Sequence, residues 1–161
     1  MSSPAITVHY VATGLPASGT EVAMSSKDAR PGVPSGSEPI FTQSMADCMA
    51  IGTFDHGNHN NRTLTHLWGR CASNSYYQTL AETISPNTTV ILACGSIGTR
   101  FYFENYEMPN VRVLLESFMT KAKKPIDQLQ WLTLYTEDTA QGLVKGSLVL
   151  QADGSYGRIK M

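Results

Sequence analysis

Charged side chains are scarce in this chain, 16% of 161 residues against the usual quarter. The two signs nearly cancel, with 12 Lys+Arg and 13 Asp+Glu giving a net charge of -1. A nucleic-acid binder or a protein held on an anionic membrane needs a basic excess, so the balance speaks against both partners. No apolar run approaches the roughly 18 residues that cross a bilayer as a helix. Cysteines number three, Cys48, Cys71 and Cys94, an odd count without close pairs. That argues against a disulfide-stapled scaffold and predicts a reduced, cytoplasmic setting. The stretch Met1 to Tyr10 lacks the basic region and long apolar core of a secretory signal. Export into a target cell without a cleaved signal is the other location this allows.

Apolar residues are plentiful at 42%, and 13 Gly and 8 Pro accompany them. Low charge with many turn formers predicts numerous strands and few long solvated helices. The length suits one domain over residues 1–161. A chain of this size buries roughly two-thirds of its unfolded surface and needs no metal or disulfide to fold.

The order of elements follows from the pattern. Ile6–Ala12 is β-rich, and Glu21–Met24 reads as a short second strand. Residues 25–39 hold Pro31, Gly32, Pro34, Gly36 and Pro39, a loop composition that predicts an ordered surface excursion or lid. Ile40–Thr42 and Met45–Phe54 are strands. Along the second, Ala46, Cys48, Ala50 and Gly52 fall on one face, and all are small, which predicts space above the Cys48 sulfur. Asp55–Asn61 is a polar turn around Gly57, and Thr63–Trp68 returns as a strand. Ser73–Ile84 has helical apolar spacing and precedes Pro86, and Asn110–Lys123 forms a second amphipathic helix. Val90–Cys94, Trp131–Tyr135, Leu143–Leu150 and Tyr156–Ile159 complete the strands, the last two joined by a turn at Asp153-Gly154. The predicted architecture is α/β: a mostly antiparallel β-sandwich flanked by two α-helices.

A hydroxyl, a thiol and an imidazole come close in this plan. Cys48 stands ten residues before Asn58, at the centre of the polar turn, and His66 eight after it. Those are near-opposing positions on paired strands if one bulge intervenes. A thiol with a pKa near 8.5 is only a few per cent thiolate at neutral pH, so a cysteine nucleophile needs a neighbouring imidazole. The imidazole needs a third group to fix its ring, and Thr42 offers a hydroxyl.

The run Phe41-Thr42-Gln43-Ser44-Met45-Ala46-Asp47-Cys48-Met49-Ala50-Ile51, followed by Thr65-His66-Leu67, resembles the CheD-like chemoreceptor glutamine deamidases. It is similar also to related deamidating toxins, the Burkholderia lethal factor and the catalytic domain of cytotoxic necrotizing factor. Thr42, Cys48 and His66 match the order and spacing of the catalytic Thr, Cys and His in the first two of these. The chain carries Ala46-Asp47 where the family has Gly-Ser before the Cys. The resemblance implies a CheD-like β-sandwich with flanking helices. It implies conversion of a protein glutamine to glutamate, with no cofactor, on a protein substrate that presents the glutamine. A bacterial toxin or effector role and a chemosensory one are both compatible with it.

Other features suggest less. Cys71 and Cys94 read as packing residues, and Tyr76 and Tyr77 as core and rim. His56 and His59 fall short of the four ligands that zinc takes. Gly95-Ser96-Ile97-Gly98 lacks the Lys of a phosphate loop. The cluster Lys121–Lys124 fits a solvated helix end. A peptidase or transglutaminase would use the same dyad. A non-catalytic binding or immunity-type module would keep the fold with Cys48 as a core residue.

Overall fold

The computed structural model describes residues 10–13, 19–25, 31–34, 36–45, 48–55, 58–67, 74–84, 88–94, 117, 119–121, 130–135 and 142–161. They form a mostly-β structure of two five-stranded sheets. The first has the order β1 (Tyr10–Thr13), β10 (Tyr156–Lys160), β9 (Leu148–Leu150), β4 (Ile40–Thr42), β2 (Thr20–Glu21). The second has the order β3 (Met24–Ser25), β6 (Asn58–Leu67), β5 (Met49–Asp55), β7 (Thr88–Cys94), β8 (Gln130–Tyr135). The inner ladders are antiparallel, as the pattern predicts. The edge strands β1, β2, β3 and β8 all join parallel, which the sequence pattern does not disclose.

The sheets meet through one apolar layer. Ile40, Leu148 and Leu150 of the first pack with Ala50, Phe54, Leu64, Ile91 and Ala93 of the second. Burying each large aliphatic chain here is worth about 1.5–3 kcal/mol. The small residues of β5 are the means of this approach rather than a source of space along it. A methyl group built on Gly52 would lie 3.1 Å from Leu150 Cδ2, so the first sheet already fills that position. Among the described residues a cleft opens at the Cys48 end of this layer.

Several boundaries differ from the expected ones. The Glu21–Met24 strand divides into β2 and β3, and the chain crosses from one sheet to the other at Val22-Ala23. The strand expected from Met45 begins at Met49, because Ser44 takes a left-handed backbone (φ 63°) and Ser44 and Met45 bond to the 145–146 turn instead. In the expected Leu143–Leu150 strand only Leu148–Leu150 is extended, since Gly142 and Gly146 turn at positive φ. The polar turn is tighter than expected: β6 starts at Asn58, and the ladder shifts between Phe54 and Asp55, a bulge beside the turn that leaves Ala50, not Cys48, opposite His66. The Asp153-Gly154 hairpin joins β9 to β10 antiparallel, with Asp153 Oδ1 accepting the Ser155 N–H at 2.9 Å.

Helix α1 (Asn74–Thr83) buries Leu80 and Ala81 and exposes Gln78, Thr79, Glu82 and Thr83. Thr83 Oγ1 donates to the Leu80 carbonyl at 2.7 Å and closes its last turn. Of the expected helix over 110–123, residues 117 and 119–121 are described; they are helical, with Met119 buried. The expected strand at Ile6–Ala12 is described only from Tyr10. Part of the 25–39 excursion is described as well. It is laid along β6 by a bridge between Gly32 and Leu64 and by the buried Arg62 guanidinium, which donates to the Gly36 and Glu38 carbonyls. No helix among the described residues is long and apolar enough to cross a membrane.

Candidate active site

Three segments converge where the chain crosses between sheets. Strand β4 ends at Thr42, whose side chain is fully buried. Strand β6 carries His66 directly opposite Ala50 of β5 and beside Met24 of β3. The crossover itself supplies Val22, whose N–H donates to the Phe41 carbonyl at 2.8 Å.

The hydrogen bonds assign the imidazole proton. Thr42 Oγ1 donates its one proton to the Val22 carbonyl at 2.7 Å. The same oxygen lies 2.7 Å from His66 Nδ1, and with its proton committed it accepts there. Nδ1 therefore carries the hydrogen and Nε2 the lone pair, an assignment that rests on the network. Burial pushes the His66 pKa below its ordinary value, so the ring is neutral at pH 7. Nε2 is buried and has no hydrogen-bond partner among the described residues. A buried acceptor without a partner costs about 1–3 kcal/mol, a cost associated with functional positions.

Cys48 immediately precedes β5, two residues before Ala50 and packed in the same apolar layer, so it lies diagonally from His66 rather than opposite it as the count from Asn58 predicts. Diagonal neighbours in such a ladder lie about 7–8 Å apart at the backbone. Cys48 is a buried thiol, not half of a disulfide. A cleft of about 280 Å³ opens at this point, and Cys48 and His66 both line it. Its other walls are Val22 and Ala23 of the crossover, Gln43 and Ser44 beyond β4, and Glu21 of β2. The volume suits one side chain entering from outside.

The approach to Cys48 is braced from the first sheet. Ser44 N donates to Lys145 O at 2.8 Å and Met45 N to Gly146 O at 3.2 Å. A methyl on Gly146 would fall 2.2 Å from both the backbone N and O of Met45, so only glycine permits this contact. Arg158, itself buried, holds the bracing turn through Nε to Ser147 O at 2.7 Å and a second bond to Val144 O at 3.3 Å.

No known protein family matches this chain, and no curated protein matches it. The site therefore rests on its own geometry. Thr42 and His66 are in direct contact, and Cys48 shares their cleft. Residues 46–47, where the family pattern places Gly-Ser, lie outside the described residues. So do Cys71, His56, the Gly95–Gly98 run and Lys123–Lys124, and the side chains of His59, Tyr76, Tyr77 and Cys94. Among the described residues no three His, Cys, Asp or Glu side chains gather as a metal site. Lys121 is exposed.

Sequence reasoning missed Val22, Glu21, Gln43 and Ser44. Val22 acts through its carbonyl, which leaves no trace in residue type. Glu21 and Gln43 had a faint signal, polar residues at the ends of short strands, Glu21 closing β2 and Gln43 following β4.

Proposed function

We propose that the chain is a protein glutamine deamidase with a CheD-like β-sandwich, in which Cys48 is the nucleophile, His66 the base and Thr42 the residue that orients it. The observation that carries this reading is the Val22–Thr42–His66 relay, which leaves the lone pair on the buried Nε2 of a ring that lines the same cleft as Cys48. Burial keeps the His66 imidazole neutral at rest, so it is free to take the thiol proton as the sulfur attacks.

The reaction then balances simply. Cys48 Sγ bonds to the carboxamide carbon while Nε2 takes the thiol proton. The C–N bond breaks as Nε2 returns that proton to the leaving nitrogen, and ammonia departs from a thioester. Water attacks the thioester with Nε2 again as base, and glutamate and the thiol are released. Backbone N–H donors near Cys48 would hold the oxyanion, each worth about 3 kcal/mol. The same dyad serves peptidases and transglutaminases. A single side chain's worth of cleft favours a glutamine tip over a threaded backbone. A toxin or effector role is the biological setting proposed.

The test is incubation of wild type and Cys48→Ser with a cell lysate, followed by peptide mapping for Gln-to-Glu conversion, about 1 Da per site. Conversion by wild type alone supports the reading. Identical maps refute it. The second reading, a binding module, draws on the place of Cys48 in the apolar layer between the sheets. It predicts unchanged target masses with both proteins.

A further inference from the structure

Among the described residues lining the cleft, Glu21 is the one with a charged side chain. It stands on edge strand β2, between Thr20 and Val22, whose N–H groups turn inward to the Pro39 and Phe41 carbonyls at 2.9 and 2.8 Å. Strand alternation therefore aims the Glu21 backbone groups away from β4. Its side chain is exposed. One carboxylate oxygen, Oε1, accepts a 3.0 Å hydrogen bond from Gln43 Nε2. Gln43 thus fixes the carboxylate at the rim, and the second oxygen has no hydrogen-bond partner among the described residues.

We propose that Glu21 is a specificity residue that admits a neutral carboxamide to Cys48 and rejects a carboxylate. The claim takes the glutamine substrate from the deamidase reading, but the selectivity itself belongs to the cleft. An ionised carboxylate only accepts hydrogen bonds. It accepts from the NH2 group of a glutamine side chain whose carbonyl carbon faces the sulfur. The product has nearly the same shape but presents a second negative charge, which Glu21 repels at the cleft rim. Apolar walls alone discriminate poorly between isosteres, whereas a fixed polar group discriminates strongly. The arrangement binds substrate and expels product.

Two alkylating reagents of nearly equal shape test this without turnover. Iodoacetamide ends in a carboxamide and iodoacetate in a carboxylate. Their rates at Cys48 are measured on the full chain by peptide mapping, which separates Cys48 from Cys71 and Cys94. The amide-to-acid rate ratio is normalised to that of free cysteine, so a change in thiol reactivity that affects both reagents cancels. In wild type the normalised ratio is about tenfold, from like-charge repulsion within one cleft. Glu21→Gln, which keeps the shape and the exposed position, brings it to within about twofold of free cysteine. Gln43→Ala keeps the charge and most of the excess. Salt at 1 M, where the screening length is about 3 Å, erodes the excess in wild type.

An equal ratio in wild type and Glu21→Gln overturns the proposal. So does a wild-type ratio matching free cysteine, or a Cys48 that iodoacetamide does not modify. The two readings fail separately. Selective alkylation with no Gln-to-Glu conversion in lysate removes the deamidase and leaves an amide-selective cleft. Conversion with a ratio indifferent to Glu21 removes only this inference.

Discussion

Two buried threonines, Thr42 and Thr65, make opposite predictions for the same substitution. Both are fully buried, on strands β4 and β6. Thr42 Oγ1 joins the Val22 carbonyl and His66 Nδ1, each at 2.7 Å. Thr65 Oγ1 is buried with no partner among the described residues. Thr42→Val keeps the shape and leaves a carbonyl and an N–H both orphaned. Each costs about 1–3 kcal/mol. Val22 is only half-buried, so water recovers part of its share, and the sum is about 2–3 kcal/mol. At about 2–4 °C per kcal/mol for a chain of this size, the midpoint falls by roughly 5–10 °C. Thr65→Val removes a hydroxyl that makes no bond, and stability rises by about 1 kcal/mol. Thermal unfolding of both variants and of Thr42→Ser measures the difference, with the serine keeping the hydroxyl and losing only a methyl. Nitrogen-15 NMR of the His66 ring adds a second readout: wild type and Thr42→Ser carry the proton on Nδ1, and Thr42→Val loses that preference. Equal midpoint changes at Thr42 and Thr65, or an unaltered tautomer in Thr42→Val, refute the relay.

The pH dependence of stability follows from His66. Burial places its folded pKa below the ordinary 6.5, so the unfolded chain binds a proton that the folded chain refuses. This contribution is whole above about pH 6.5 and is lost as pH falls from there toward the folded value. Urea midpoints at pH 7.5 and 5.5 should fall more in wild type than in His66→Gln, and an equal fall would contradict the burial of a neutral ring. At Gly146, φ is 56° and an added methyl would meet Met45 backbone at 2.2 Å, so Gly146→Ala should cost at least about 3 kcal/mol and displace the approach to Cys48. Gly142 has φ 71° with nothing within 4 Å, and there the same change should cost only about 1–2 kcal/mol in chemical denaturation. Similar losses at the two positions would mean that the Met45 contact is not tight.

Local chemistry was legible where it decides the structure alone. The turn at Asp153-Gly154 and the amphipathic stripe through Leu80, Ala81 and Ile84 appear where pattern places them. The β5–β6 ribbon followed from the polar turn around Asn58, but its register sets Ala50 rather than Cys48 opposite His66, because the bulge falls beside the turn. What sequence could not carry is set by distant partners. Nothing in Thr20–Ser25 says that two residues belong to one sheet and the next two to the other, since each pair gains its bonds from β4 or β6. Ser44 turns left-handed because Lys145 O and Gly146 O wait for the Ser44 and Met45 amides, a pairing of a hundred residues' separation. The small face of β5 predicts space above Cys48, where the cleft lies, but not that Leu150, on another strand, fills the same face at Gly52. Thr42 and His66 meet as spacing suggested, while the carbonyl that orients them has no side-chain signature.

The most direct measurement is the rate at which a small neutral thiol reagent modifies each of Cys48, Cys71 and Cys94 in the folded protein, with and without His66. Cys48 is only 8% exposed, so burial alone would make it slow. The account predicts that it reacts ahead of Cys71 and Cys94, because Nε2 takes its proton, and that His66→Ala removes the advantage. Equal rates at all three sulfurs, or a Cys48 rate unchanged in His66→Ala, would contradict it.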